Sequence, residues 1–297
     1  MKKQFKNILI VSKTAFKKWW AKDPFKESAV IAYYAIFSLP GLLVVIVSLA
    51  GYFFGQEAVN GQIAAQIAST MGADTAQQIQ DMIAKGTESK NHFWATIIGA
   101  ITILVGATGV FAQFQKSINT IWEVKADESK SGILNLLKAR LFSFGLIIAI
   151  AFILIVSLVI SATLSAFGTW ITNHFSESLV IVLQAINSIL SLGILTVLFS
   201  LIFIFIPDAK IKWRHVWIGS FVTALLFEIG KFALGLYFGT ADPGSGYGAA
   251  GSIILILLWV SYSSMIVFYG AEFTHAYANF FSGKVPPTKI AKKQTEK

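Results

Sequence analysis

The chain of 297 residues has no cysteine, six prolines and only 13% charged residues. Without cysteine there can be no disulfide, no thiolate metal site and no cysteine nucleophile. A soluble domain carries about 25% charged residues. Half that density, with 55% hydrophobic residues and a mean hydropathy of +0.68, excludes a disordered chain, a coiled coil and most water-soluble enzymes. Catalytic signatures are also missing. There is no H-E-x-x-H, no G-x-S-x-G and no G-x-x-x-x-G-K-[ST] in the sequence. The reading is that the protein is not an enzyme and needs no cofactor and no metal.

Long uncharged runs are present instead. They extend from Ser28 to Gln56, Asn91 to Gln115, Leu141 to Ser176, Ser178 to Pro207 and Pro243 to Ala271. A sixth, from Trp213 to Gly239, is apolar apart from Arg214, Glu228 and Lys231. Each exceeds the roughly 20 residues a helix needs to cross the hydrocarbon layer, and none alternates as a barrel strand does. The expected fold is all-α: a polytopic membrane protein with six transmembrane helices at about 28–54, 93–121, 141–169, 179–206, 213–239 and 250–280, together forming a domain over 24–283.

Charge placement gives the orientation. Eight lysines precede the first span, while five Lys/Arg follow the second, three follow the fourth and five follow the sixth. The other side has Lys85 and Lys90 alone. Positive residues favour the cytoplasmic side, so both termini are expected there. The net charge of +9 then belongs to a membrane edge that meets anionic lipid headgroups. Membrane lipids are the expected partners and nucleic acid is not, with homo-oligomerisation left open.

Residues 1–23 are expected to form an amphipathic cytoplasmic interfacial helix. Phe5, Ile8, Leu9, Ser12, Phe16 and Trp19 recur at helical spacing between lysines. Asp23-Pro24 then suits a helix cap followed by a first-turn proline. The extracytoplasmic insertion at 57–92 suits two short amphipathic helices around Gly72, capping a cavity mouth or lying on headgroups. The tail at 284–297 contains Pro286-Pro287 and several lysines, and is expected to be basic, cytoplasmic and disordered.

Polar residues within the spans are the candidate substrate or proton pathway, because charge inside a bilayer is costly. Glu228 and Lys231 lie three apart on one helix face, close enough to pair. A second group comprises Tyr33, Tyr34 and Ser38 in the first span, Gln113, Gln115, Lys116 and Asn119 at the end of the second, and Glu272 and His275 in the sixth. If these helices pack together, the group forms either a polar vestibule or hydrogen-bond glue between helices. Pro40, followed by Gly41, is expected to kink or break the first span. Gly99, Gly106, Gly109, Gly219, Gly230 and Gly235 suit close helix contact.

Several of these motifs together resemble a known family. Ala32-Tyr33-Tyr34-Ala35-Ile36-Phe37-Ser38-Leu39-Pro40 resembles the A-Y-Y-x-x-F-S-x-x-P signature of the YihY/virulence factor BrkB family, without the extra bulky residue that many members carry before the proline. Gly106 to Phe111 with Gln115, Asn119, Ile121 and Trp122 resembles its second block. Ile206-Pro207, Trp213-Arg214, Gly219, Glu228, Lys231 and Tyr237 resemble the next, and Tyr247-Gly248, Gly251, Leu258-Trp259 and Gly270-Ala271-Glu272 the last. The resemblance implies a bacterial inner-membrane multi-pass protein, formerly labelled a ribonuclease, for which transport of lipid-like envelope components is the usual suggestion. Two functions follow as expectations. One is a transporter exporting a lipid or other envelope component through a polar cavity. The alternative is a non-transporting membrane scaffold or envelope-integrity factor.

Overall fold

The computed structural model describes residues 2–88, 109–127, 177–288 and 290–294. Helix α1 covers Lys2–Ala21, α2 Pro24–Phe54, α3 Gln56–Met71 and α4 Ala73–Glu88. Residues 109–121 form α5, and β1 covers Val124–Ala126. Then come α6 at Glu177–Phe205, α7 at Trp213–Ala241, a short 3-10 helix at Ser245–Ala250, α8 at Gly251–Ser282 and β2 at Ala291–Lys293. Three described stretches are long and apolar enough to cross a membrane: Ala185–Phe205, Trp213–Ala241 and Gly251–Ser282. The count of six comes from the sequence. The expected span at 141–169, residues 93–108 of the second span, Gly99 and Gly106 lie outside the described residues.

Helix α8 is the hub, packing against α1, α2, α4 and α7, while α6 packs on α7. Its seam with α7 is antiparallel and closed by two reciprocal pairs. A Cβ added to Gly219 would meet Thr274, and one added to Gly270 would meet Thr223. Each threonine hydroxyl donates to the carbonyl of the glycine four residues before it, at 2.7 Å. Its polar atom is thus satisfied within its own helix, and the side chain fills the notch left by the opposite glycine. Gly230 meets Tyr262 and Ile266, and Gly109 meets the ring of Tyr34, whereas Gly235 faces open space. The main core around this hub includes Ile31, Ile118, Trp122, Phe203, Val216, Ala224 and Phe268.

Two local expectations change, at Pro40 and in the tail, and α1 gains a buried face. Helix α2 runs unbroken through Pro40, so no break is present there. Proline removes one backbone bond, but in an apolar setting the remaining backbone groups have no partner better than their own helix. In α1, Val11 and Ala15 pack against Phe273 and Ala276 of α8, while Ile8, Leu9, Phe16 and Trp20 are exposed. The small residues meet the protein because they permit close approach, and the large apolar row is turned away. The described tail is ordered, contrary to the composition-based reading. β2 pairs antiparallel with β1, Lys210 N donates to Pro286 O, and Thr288 N donates to Asp208 O. Backbone pairing fastens a lysine-rich strand that has little apolar surface of its own to bury.

Helices α3 and α4 meet at Gly72, whose φ of +92° suits glycine. They pack against each other and against α2, and α3 also meets α7. Ala76, Ile79 and Ile83 are buried there, and Ser252 at the start of α8 hydrogen-bonds to Gln78. The lysine-rich segments and the strand pair gather at the opposite end of α8, the basic end.

Candidate functional site

At the basic end, α1 and α2 meet at a tight elbow. Lys22 N and Asp23 N donate to the carbonyls of Trp19 and Trp20, both at 3.2 Å. Asp23 occupies the cap position, but its φ of 52° is left-handed and its side chain makes no cap hydrogen bond. Aspartate tolerates this conformation better than most residues. Pro24 then opens α2 at its first turn.

The elbow sends Lys22 into the protein. Its Nζ donates to Glu272 Oε2 at 2.7 Å and to the Ile121 carbonyl at 3.3 Å. Glu272 is 0% exposed, and its Oε1 has no hydrogen-bond partner. His275, one turn further along α8, places Nδ1 3.6 Å from that oxygen, beyond hydrogen-bond length. Its Nε2 lies 2.8 Å from Asn279 Nδ2, and its ring lies 5.0 Å from that of Trp122.

Beside this pair, Glu27 in the first turn of α2 accepts hydrogen bonds from α5. Gln113 Nε2 donates to Glu27 Oε2 at 3.0 Å and Ser117 Oγ to the same oxygen at 2.5 Å. Trp19, Lys22, Glu27, Ser117, Phe268 and Glu272 line a cleft with about 40 Å³ of room for water centres. One water needs roughly 10–15 Å³ on that measure, so the cleft accepts about three waters or a small polar group.

A lysine of α1 ties down the rim. Lys18 Nζ lies 3.0 Å from Glu123 Oε1. Burial works against the charge on Glu123, but the Lys18 hydrogen bond and charge, aided by His275 and Lys22, hold its carboxyl below the usual glutamate value.

Of the sequence-predicted residues, Gln113, Glu272 and His275 come together here. Gln115 and Asn119 instead secure the connection between α6 and α7. Gln115 donates to the Ile206 carbonyl at 3.3 Å, Asn119 Nδ2 donates to Asp208 Oδ2 at 2.8 Å, and Asp208 N donates back to Asn119 Oδ1 at 2.8 Å. Tyr34 packs on Gly109, Tyr33 points outward at 59% exposure, and Ser38 is buried and donates to the Ala35 carbonyl. The side chain of Pro40 lies outside the described residues. Glu228 and Lys231 pair at 2.6 Å, each about one-third exposed, and do not line the cleft. Among the described residues, no group of three His, Asp or Glu could hold a metal ion.

Sequence reasoning missed Trp19, Lys22, Glu27 and Ser117. The search for uncharged runs began the first span at Ser28, which placed Glu27 outside it. For two of the pairs a helical-face signal was available: Gln113 and Ser117 lie four apart, and so do Phe268 and Glu272.

The family described as Virulence factor BrkB matches residues 15–295, which include every residue of the cleft. The chain belongs to the BrkB family. Among relatives of this BrkB chain, a UPF0761 membrane protein of Pseudoalteromonas atlantica is 27% identical over 84% of the chain and 80% of its own length. Counterparts from Saccharophagus degradans and Azotobacter vinelandii are each 26% identical, over 89% and 92% of the chain. The BrkB chain spans only 58% and 64% of those two proteins. No solved structure matches it. The protein is thus a BrkB-family membrane protein, and three helices among the described residues suit a bilayer.

Proposed function

We propose that this protein is a transporter of the bacterial inner membrane, and that the cleft between α1, α2, α5 and α8 receives the polar part of its substrate, a lipid or other envelope component. One observation carries the reading: a fully buried carboxylate, Glu272, has an oxygen without a hydrogen-bond partner and borders a cleft that Lys22 and Glu27 also line. A buried charge left partly unsatisfied is expensive, and a purely structural pair would be expected to use both oxygens. The anionic headgroups expected at the basic end suit the lysines of α1.

The scaffold reading has its own support. The interlocked seam of α7 and α8 and the self-paired Glu228–Lys231 need no ligand. Flux of labelled lipid or solute from proteoliposomes separates the two. The transporter reading expects flux in the wild type, and a loss of at least about tenfold (~1.4 kcal/mol in the barrier) in Glu272→Gln. Folded wild-type protein that moves nothing across a panel of lipids and small solutes would leave the scaffold.

A further inference from the structure

We propose that the cleft is a binding site for a primary ammonium group and that Lys22 is its tethered resident occupant. The proposal rests on reading the cleft as the substrate site. Lys22 shows how an ammonium is received there: a carboxylate oxygen at 2.7 Å and a backbone carbonyl at 3.3 Å. Lys22 lies between α1 and α2 and belongs to neither helix, so its side chain can leave without unwinding either one.

The charge balance favours a cation. Two carboxylates, Glu27 and Glu272, line the cleft against one ammonium, leaving one negative charge over. An anion such as phosphate would find Lys22 already paired and two carboxylates opposing it. Glu272 Oε1 is buried without a hydrogen-bond partner, 3.6 Å from His275 Nδ1. The rings of Trp19 and Phe268 form part of the wall, and aromatic faces attract cations. The volume suits an ammonium with a carbon or two attached, but not a large head group in full. An arriving ammonium would displace Lys22 from Glu272 Oε2. The ammonium could belong to a lipid headgroup or to a free amine.

The test is chemical rescue on the full chain in nanodiscs. Lys22→Ala leaves Glu272 without its cation, and Tm should fall. Methylammonium chloride should restore most of that loss with saturation, while tetramethylammonium and sodium at equal ionic strength should not. Adding Glu272→Gln should abolish the response. Equal response to all three salts, or a methylammonium response that survives Glu272→Gln, overturns the proposal. If Lys22→Ala is lost on extraction, the yield of monodisperse protein extracted with methylammonium or with sodium makes the same comparison: amine-dependent recovery supports the site and equal loss overturns it.

Nanodisc composition then assigns the source. Protection of Lys22→Ala by phosphatidylethanolamine over phosphatidylglycerol, without added amine, supports the lipid headgroup. Protection only with free methylammonium supports a soluble amine. Flux without any amine response sinks the ammonium site and leaves transport standing. An amine response without flux does the reverse.

Discussion

Two glutamate–lysine pairs occupy this protein and they differ in almost everything but chemistry. Glu228 and Lys231 sit three residues apart on one helix, 2.6 Å from each other and each about one-third exposed. Glu272 and Lys22 are 250 positions apart, 2.7 Å from each other, with the carboxylate fully buried and one oxygen unpartnered. The local pair is complete as soon as its helix forms. The distant pair exists only when α1 has docked on α8, and it borders a cleft. The difference teaches that a local pair is set by its own helix, whereas a distant pair is set by how the helices pack.

Substitutions can break this comparison, and the largest effect is expected at the distant pair. Removing one member of a buried ion pair costs about 3–5 kcal/mol. Lys22→Ala should fall near 3 kcal/mol, because the lysine is 27% exposed. Thermal or denaturant unfolding in a defined detergent measures it, and a loss comparable to that of Lys231→Ala would erase the distinction. Next comes the seam. Gly270→Val drives a side chain into Thr223 and should cost about 1–3 kcal/mol. Gly235→Ala meets open space and should gain up to about 1 kcal/mol of helix stability.

Smaller effects sharpen the contrast. Glu228→Gln should leave flux intact if the cleft is the substrate site, because the pair does not line it. The smallest effect belongs to Lys18–Glu123 on the rim. Because the folded state holds Glu123 below the ordinary value of 4.5, its stabilisation is full above that pH and is lost as the pH falls through the lower folded value. Unfolding of Glu123→Gln between neutral and acid pH should show a shallower loss than the wild type.

The site was half legible. Glu272 and His275 stood out because a charged residue in an apolar run is conspicuous, and their i,i+3 spacing placed both on one face. Glu27 and Lys22 did not, since each lies at the flank of a span where charge is ordinary. Glu228 and Lys231 drew attention for the same reason as Glu272, yet the structure gives them to each other. Among the glycines, spacing alone could not separate Gly219, which faces Thr274, from Gly235, which faces nothing. Contact between helices depends on rotation and partner, and a one-dimensional pattern contains neither. The tail misled for a related reason: proline and lysine composition speaks for solvation, while β1 offered backbone partners that composition does not register.

The sequence by itself determined the apolar stretches, their helical character and the basic ends, because helix formation and transfer from water depend on residues near in the chain. Tertiary structure decided which lysine meets which carboxylate, which face of α1 is buried and where the tail lies. Those outcomes turn on distances between residues up to 250 positions apart, and only packing around α8 fixes them.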